Sequence, residues 1–202
     1  DTWSLDPGLS AGRSGGATTG GFKLREYNIF GTGTSIAIGR SKDVDRTSTE
    51  FEFSNTRAFG TWASFGYQHA SSSDGGRDAI SLVRPFYALD ARWTAGIAAV
   101  KDDRIDSVYN AGNVVSQYRR SERRSDVFAG WSAGLREGWV QRYTLGLRKL
   151  DDGYAEEHGL VPPAALPPSE KLVVPFVRYE LLEDRFERET NRNLIGRPEF
   201  FA

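Results

Sequence analysis

Two histidines are the side chains best suited to acid–base chemistry in this sequence. A hydrolase triad needs an imidazole beside a nucleophile and a carboxylate. His69 and His158 both lie in polar segments, and no nucleophile elbow adjoins either of them. We therefore interpret both as surface residues and predict a protein that is not an enzyme and has no catalytic residues.

Acidic residues crowd several polar segments, and carboxylates are the ligands that calcium and magnesium prefer. The twelve-residue spacing of a calcium loop is absent, cysteine is absent, and two histidines are too few for a histidine-built metal centre. We predict solvated loop charge, with no metal and no cofactor. The residues concerned are Asp43, Asp45, Asp102, Asp103, Asp106, Asp151, Asp152, Glu156 and Glu157.

The densest basic cluster consists of Arg119, Arg120, Arg123 and Arg124. Guanidinium groups pair well with the phosphates of lipopolysaccharide or of nucleic acid. Acidic residues interrupt this cluster, and the formal net charge of the chain is −1, so there is no large field to attract nucleic acid. The cluster is interpreted as a solvated strand end or loop, and no nucleic-acid partner is expected.

The glycine-rich run Gly12–Gly21 has the composition of a phosphate-binding loop. It lacks the Gly-Lys-Ser/Thr ending, and no apolar helix follows it. We predict a flexible hairpin in a weakly paired first strand.

Composition indicates which elements carry these residues. Hydrophobic residues make up 39% of the 202 residues, whereas glycine (22 residues) and aromatic residues (12%) are abundant. This balance favours a sheet with one apolar and one wet face over a helical core. No run of about 18 apolar residues is present, which argues against a transmembrane helix, but a transmembrane strand needs only about 9–11 residues.

Apolar residues alternate with polar or small ones along most of the chain, as in half-exposed strands. Most connections are too short for a crossover helix, so the strands are expected to be antiparallel. The predicted runs are Leu89–Ala99, Val127–Leu135, Trp139–Leu147 and Val173–Leu181, with weaker ones at Phe22–Ile29, Thr34–Gly39, Thr49–Phe53, Trp62–Tyr67 and Ala79–Phe86.

Connections of two kinds separate the runs. Arg136–Gly138 and the segment around Tyr87–Leu89 read as tight turns, whereas four polar segments read as long loops. Short turns alternating with long loops are typical of outer-membrane barrels, although soluble sandwiches also mix them. The predicted loops are Ser71–Asp78, Lys101–Gln117, Asp151–Lys171 and Glu183–Arg197.

The sequence therefore predicts an all-β fold, an antiparallel transmembrane β-barrel built as a meander of hairpins with about 8–10 strands. Residues 1–202 would form a single β-barrel domain. Because Arg197–Ala202 reads as a strand just beginning, we expect the domain to be truncated at its C-terminal end.

Aromatic residues lie mostly near the ends of the predicted strands, where membrane barrels carry aromatic girdles. A soluble core built around the rings is the alternative interpretation. The residues predicted at a membrane interface are Trp62, Trp93, Trp131, Trp139, Tyr143 and Tyr179.

Several turn motifs occur in an order that resembles the BamA/TamA-like barrels of the bacterial surface-antigen superfamily. The segment Glu26–Thr34, with Asn28 and Gly-Thr-Gly at Gly31, Thr32 and Gly33, is similar to that family's second-strand region. Further motifs with this resemblance are Asn55–Gly60, Arg84–Trp93 and Arg197–Phe201. The family-like turn residues are Glu26, Asn28, Phe30, Gly31, Thr32, Gly33, Asn55, Phe59, Gly60, Arg84, Pro85 and Phe86.

The resemblance implies the N-terminal part of a sixteen-strand barrel in the bacterial outer membrane. It implies non-enzymatic insertion or translocation of outer-membrane proteins through a weakly paired first strand, with Thr2–Gly21 as the first hairpin arm. The implied partners are outer-membrane lipid and lipopolysaccharide, client outer-membrane proteins and lipoproteins. The family's periplasmic repeats and its Val-Arg-Gly-Phe/Tyr motif are absent from this sequence.

Three other interpretations remain open at this point. One is a self-contained small barrel of porin or adhesin type, and another is the barrel portion of a patatin-like lipase. The third is a soluble lipocalin-like binder, which would be apolar inside and polar outside.

Overall fold

The computed structural model describes residues 4–29, 31–184, 186–189 and 192–195. Within these ranges the chain is all-β, and each strand pairs antiparallel with its neighbours in sequence. No helix occurs in the described residues, and so none long and apolar enough to cross a membrane. The strands are β1 (Leu5–Ser14), β2 (Ala17–Ile29), β3 (Thr34–Lys42), β4 (Thr47–Ala58), β5 (Ala63–Ser72), β6 (Gly75–Arg84), β7 (Trp93–Asn110), β8 (Asn113–Arg136), β9 (Trp139–Ala155), β10 (Glu170–Glu183), β11 (Phe186–Glu189) and β12 (Arg192–Ile195).

Strands β1 to β10 form one meander sheet, and β11 pairs with β12 in a separate two-stranded sheet. The predicted all-β antiparallel meander is confirmed, and the ten strands of the main sheet fall within the predicted number. Closure into a barrel is not found. In the described residues β1 pairs only with β2, and β10 pairs only with β9, so the sheet is open. The alternative of a self-contained small barrel, which needs a closed sheet, is therefore not found in the described residues.

Three hairpins turn through two residues that both have positive φ, which suits the right-handed twist of the flanking strands. Gly15 and Gly16 have φ of 56° and 81° and join β1 to β2, confirming the predicted glycine-rich hairpin. Glu137 and Gly138 (52° and 83°) form the turn predicted between β8 and β9. Ala111-Gly112 turns β7 into β8 in the same way.

Three segments predicted as long loops contain strands instead, and one of them, Glu183–Arg197, contains β11 and β12. Ser71–Asp78 contains the ends of β5 and β6 around a two-residue turn, and Lys101–Gln117 is the outer part of the β7–β8 hairpin. Their charged residues pair with one another across strands, as Arg77 on β6 does with Asp102 on β7, so polar sequence continues the ladder. In the described part of the chain, residues 156–169 between β9 and β10 are the one long connection of the predicted kind. The tight turn predicted around Tyr87–Leu89 is instead part of the eight-residue connection 85–92.

The sheet has little conventional core. The buried apolar residues in the described part of the chain are Ala37, Ala58, Ala70, Ala91, Val140 and Leu182, most of which are small. Large apolar side chains are instead exposed along one face. Strand β8 has a register shift between Ser132 and Leu135, where Gly134 (φ 72°) is an extra residue and Leu135 pairs with Val140. The alternation predicted for Val127–Leu135 ends at this β-bulge.

Candidate functional site

One face of the sheet is apolar and exposed. Residues that are directly paired across strands share a face, so the register identifies its members. One hydrogen-bonded row places Leu82, Ile97, Val127, Leu147 and Pro175 side by side on β6 to β10. Ile97, Val127 and Leu147 are each half-exposed or more, so this face is covered by no other layer of the described chain.

An aromatic row borders this apolar face on one side. Trp93, Trp131, Tyr143 and Tyr179 are successive register partners on β7, β8, β9 and β10, and all four rings are exposed. The Tyr143 and Tyr179 ring centroids are 5.1 Å apart. Trp139 begins β9 at the same end of the strands, which we call the aromatic edge.

Trp62, in the β4–β5 turn, reaches the same edge and stacks on Tyr87 at 4.7 Å. All six aromatic residues predicted at an interface therefore lie at one edge, and none is packed in a core. Their position relative to a membrane remains a prediction.

A charged row borders the apolar face on the opposite side. Asp78, Lys101, Arg123, Asp151 and Lys171 are successive register partners on β6 to β10. Lys101 follows Trp93 by eight positions along β7, which corresponds to about 26 Å of extended strand at about 3.3 Å per residue. The apolar face between the two rows is therefore a band, which we call the apolar band.

The apolar band crosses the hydrogen-bonded rows obliquely. The row that contains Lys101 on β7 contains Phe51 on β4, Ile38 on β3 and Leu24 on β2. On β2 to β4, apolar residues thus occupy the same row that holds charged residues on β7 to β10. Such a drift is what strands inclined to the axis of a curved sheet produce.

The opposite face, which we call the polar face, is held together by ion pairs between strands. Three carboxylates each contact two cations at N–O distances of 2.5 to 3.4 Å. Asp102 and Asp126 contact cations of their own and a neighbouring strand, whereas Glu52 on β4 contacts two cations of β2, two strands away. Their side chains are only partly exposed, so the groups are enclosed by the sheet's own side chains. The three groups are Lys23–Glu52–Arg25, Arg77–Asp102–Arg104 and Arg124–Asp126–Arg148.

Glycine and phenylalanine alternate across the polar face in the row Gly96, Phe128, Gly146 and Phe176. A Cβ on Gly96 would lie 2.6 Å from Phe128, and one on Gly146 would lie 2.3 Å from Phe176. Each ring therefore occupies the space above a neighbouring glycine, which no sequence pattern had indicated.

The family-like turn residues lie at the aromatic edge. Asn28 Oδ1 accepts a hydrogen bond from the Gly33 amide at 2.8 Å, and Gly31 and Gly33 have φ of 71° and 73°. Thr32 Oγ1 donates to the carbonyl of Ile29 at 2.7 Å, while Glu26 accepts from the Asn28 amide. Phe30 lies outside the described residues.

The next two motifs also build connections at this edge. Asn55 Oδ1 accepts from the Arg57 amide at 2.8 Å, and Phe59 and Gly60 both have positive φ. Arg84 ends β6, and Pro85 and Phe86 follow it, with the Arg142 guanidinium 4.8 Å from the Phe86 ring. The fourth motif, Arg197–Phe201, lies outside the described residues, as does Trp3.

The basic cluster is divided between the two faces. Arg119 and Arg123 alternate with Arg120 and Arg124 along β8, and the latter two contact Glu122 and Asp126 on the polar face. Arg119 contacts Glu157 of the 156–169 connection, and Arg123 is exposed in the charged row. The cluster therefore lies inside a strand, not at a strand end or in a loop as predicted.

The acidic residues are likewise distributed over several elements. Asp43 and Asp45 lie in the β3–β4 turn, but Asp102, Asp103 and Asp106 belong to β7, and Asp151 and Asp152 to β9. The interpretation of the three β7 residues and the two β9 residues as loop residues is wrong. Glu156 and Glu157 begin the connection to β10. The described residues contain no group of three or more acidic or histidine side chains arranged to bind a metal.

The serine and histidine that a hydrolase triad would need are not close to each other in the sheet. His69 Nδ1 lies 2.7 Å from Asp78, and both side chains are exposed at the charged row. Gly12–Gly16 has the Gly-x-Ser-x-Gly spacing of a nucleophile elbow, but Ser14 ends β1 and a strand follows it, not a helix. Three strands separate β1 from β5, so Ser14 is remote from His69 in the sheet.

The two edge strands of the main sheet, β1 and β10, are largely exposed. Every residue of β1 is exposed, and β10 is exposed along most of its length. The only prolines within the described strands are Pro7 on β1 and Pro175 on β10. Proline lacks the backbone N–H and is tolerated on edge strands, in agreement with the open topology.

Comparison with protein-family models, with curated proteins and with solved structures finds no match for this chain. The functional assignment therefore rests on the geometry of the sheet.

Proposed function

We propose that this chain forms part of an outer-membrane β-barrel that inserts or translocates outer-membrane proteins without enzymatic chemistry. The apolar band carries the proposal. Transmembrane barrels have an outward apolar band about 25 Å tall bordered by aromatic residues. The band described above has that composition and, along the strand, about 26 Å of length before strand tilt is taken into account.

The polar face supports the same orientation. A pocket of about 450 Å³ lies on it, lined by side chains from β6 to β10 that include Asp126, Arg142, Arg148 and Glu180. On this face, side chains from strands two apart also meet, as Lys23 and Arg25 on β2 do with Glu52 on β4, which supports a sheet that curls toward its polar face. A lipocalin-like binder would curl toward its apolar face, so the geometry favours a polar interior and a lipid-facing exterior.

The open edge at β1 supports the insertion mechanism. Residues 5–14 include two glycines and a proline, present unpaired backbone groups on one side, and pair with the glycine-rich start of β2. A strand of another chain can add to such an edge through main-chain hydrogen bonds, which do not require a particular client sequence. Glycine lowers strand stability, so β1 would exchange partners easily.

The membrane location is tested with the tryptophan residues as reporters. The chain is reconstituted in vesicles that contain lipids brominated at the head-group end or at the middle of the acyl chain. We expect stronger quenching by the shallow bromines, because Trp62, Trp93, Trp131 and Trp139 share one edge of the apolar band. A monodisperse β-sheet protein that needs no detergent and shows no quenching would contradict the proposal.

Gel mobility distinguishes the self-contained barrel from the larger one. A β-rich chain in detergent that migrates faster in SDS before boiling than after would indicate a closed small barrel, and would contradict the larger-barrel part of the proposal. No boiling-dependent shift, together with aggregation outside detergent, is the expected result for an open sheet with an exposed apolar face.

The edge mechanism is tested by cysteine cross-linking, because the chain has no native cysteine. Ser10→Cys places a thiol on β1, and Ser125→Cys places one on an exposed position of the central strand β8. A client barrel protein with one cysteine in its terminal strand should form a disulfide with the β1 variant and not with the β8 variant. Equal yields from both positions would contradict edge pairing.

A further inference from the structure

A groove of about 530 Å³ opens on the apolar band between β5 and β8. Its lining includes the small residues Ala63 and Ala95 beside the larger Leu82, Ile97 and Val127. Alanine on neighbouring strands leaves space that the larger side chains surround. The groove is almost wholly apolar and extends from the aromatic edge to the middle of the band, where Ile97 lies.

Arg84 and Trp93 line the same groove at the aromatic edge. The Arg84 guanidinium carbon lies 3.6 Å from the Trp93 ring centroid and 4.9 Å from that of Tyr87. One terminal nitrogen of Arg84 donates to the Trp93 carbonyl at 2.7 Å. Two cation–π contacts and one hydrogen bond therefore hold the guanidinium in place.

No carboxylate of the described residues forms an ion pair with Arg84. This contrasts with Arg124 and Arg148 on the polar face, which share Asp126. A guanidinium has five N–H donors, and the bond to Trp93 uses one of them. Arg84 thus presents unneutralised charge and free donors beside an apolar groove.

We propose that this groove binds one glycerophospholipid, whose phosphate pairs with Arg84 while an acyl chain lies against Ala95 and Ile97. The inference rests on the proposed membrane location and adds a specific lipid site to it. Charge complementarity selects the phosphate, because the planar guanidinium matches its oxygens in a bidentate pair. The apolar lining selects a ligand with a hydrocarbon chain, which a free phosphate ion does not have.

The connections at the aromatic edge determine which lipid leaflet is involved. This edge carries the connections after β2, β4, β6 and β8, the longest of which is residues 85–92, whereas the other edge carries the outer part of the β7–β8 hairpin and the longer connection 156–169. In outer-membrane barrels short turns face the periplasm. The ligand is therefore a phospholipid of the inner leaflet, and lipopolysaccharide is an alternative that the experiment tests.

The experiment counts lipids bound to the full chain in detergent by native mass spectrometry, with phosphatidylglycerol added at increasing concentration. We expect one phosphatidylglycerol to bind more tightly than the rest. Arg84→Gln should weaken that first binding about tenfold, the cost of losing a charge-assisted hydrogen-bonded pair. Ala95→Leu, which keeps Arg84 and fills the groove, should weaken it as well.

Arg57→Gln is the matched control, because Arg57 lies over Trp62 at 5.4 Å at the same edge and does not line the groove. Circular dichroism establishes that each variant keeps the β-sheet. Unchanged affinity in both Arg84→Gln and Ala95→Leu overturns the lipid site, as does preferential binding of lipopolysaccharide or competition by inorganic phosphate alone. If no variant or wild-type chain binds lipid and the chain needs no detergent, the proposed membrane function fails instead.

Discussion

Trp93 and Trp131 face each other as a register pair across β7 and β8, and their side chains are 49% and 57% exposed. Tyr143 and Tyr179 continue the same row on β9 and β10. Aligned, exposed rings of this kind contribute little to a protein surrounded by water. At the boundary between lipid and water they are favourable, because the ring body is apolar and the N–H or O–H reaches water.

Trp131→Ala should therefore destabilise the chain in lipid by about 1 kcal/mol. Trp131→Tyr should keep most of the stability, because tyrosine is also amphipathic. Urea unfolding from lipid vesicles, followed by circular dichroism, measures both. An alanine variant as stable as the tyrosine variant would argue against an interfacial role for the aromatic row.

Ile97 and Ala98 are adjacent on β7 and belong to opposite faces, so they form a matched pair. Ile97→Arg places a charge near the middle of the apolar band and should cost about 2–4 kcal/mol in lipid. Ala98→Arg places the same charge on the polar face, opposite Asp126, and should cost much less. Unfolding in vesicles distinguishes them, and equal costs would contradict the assignment of the faces.

Gly146→Ala should destabilise the sheet by about 1–3 kcal/mol, as overpacking does. The new Cβ would lie 2.3 Å from Phe176 and 2.8 Å from the Val127 carbonyl oxygen. Phe176→Ala in the same chain should relieve the first clash and recover part of the loss in a double-mutant cycle. Additive costs in that cycle would show that the two residues are not coupled.

Gly153→Ala is the control for the preceding variant. Its Cβ would meet the nearest atoms of Ser121 at 3.7 and 3.9 Å, which is ordinary contact, and its φ needs no glycine. We expect unchanged stability or a gain of about 0.4–1 kcal/mol from the reduced entropy of the unfolded chain. A large loss at Gly153 would mean that alanine is poorly tolerated in these strands for reasons other than the aromatic rings.

The connection between β9 and β10 should detach in acid. Arg119 Nε lies 2.5 Å from Glu157, and this hydrogen bond lowers the pKa of the Glu157 carboxyl below its ordinary value. A carboxyl with a lowered folded pKa stabilises the fold above its unfolded pKa of about 4.3 and loses this contribution as the pH falls through the lowered value. The contact should thus be present at neutral pH and absent in strong acid.

Hydrogen exchange of residues 156–169 as a function of pH measures this detachment. Glu157→Gln should expose the segment at all pH values, and the neighbouring Glu156→Gln should behave like the wild type. An acid transition that persists in Glu157→Gln would assign it to another group.

The local pattern of the sequence was sufficient for the class of fold and for much of the site. Alternation along Trp93–Ala99 and Trp139–Leu147 identified the apolar residues of each strand, because the side-chain period of a strand is two. Turn chemistry predicted a tight turn at Arg136–Gly138 and a hairpin within Gly12–Gly21, because positive φ favours glycine and few other residues. The six aromatic residues predicted at a membrane interface were likewise recognisable as residues near strand ends.

Polar strands were not recognisable in this way. Lys101–Gln117 has the composition of a loop, yet it forms the outer part of a hairpin because its charges find partners across the ladder, as Asp102 on β7 does in Arg77 on β6. Local sequence does not show which partner a charge will meet. The same holds for the Arg119–Arg124 cluster, which divides between two faces once its strand is formed.

Register and edges were decided only by the tertiary structure. Trp131 meets Trp93 and Tyr143 because the turns at residues 111–112 and 137–138 and the bulges at Val115 and Gly134 set the offset of three strands. A slip of one residue would move each ring to the other face. The glycines beneath Phe128 and Phe176 and the groove beside Arg84 also depend on register, since each brings together residues far apart in the chain. The open edges at β1 and β10 depend on the order of the strands in the sheet.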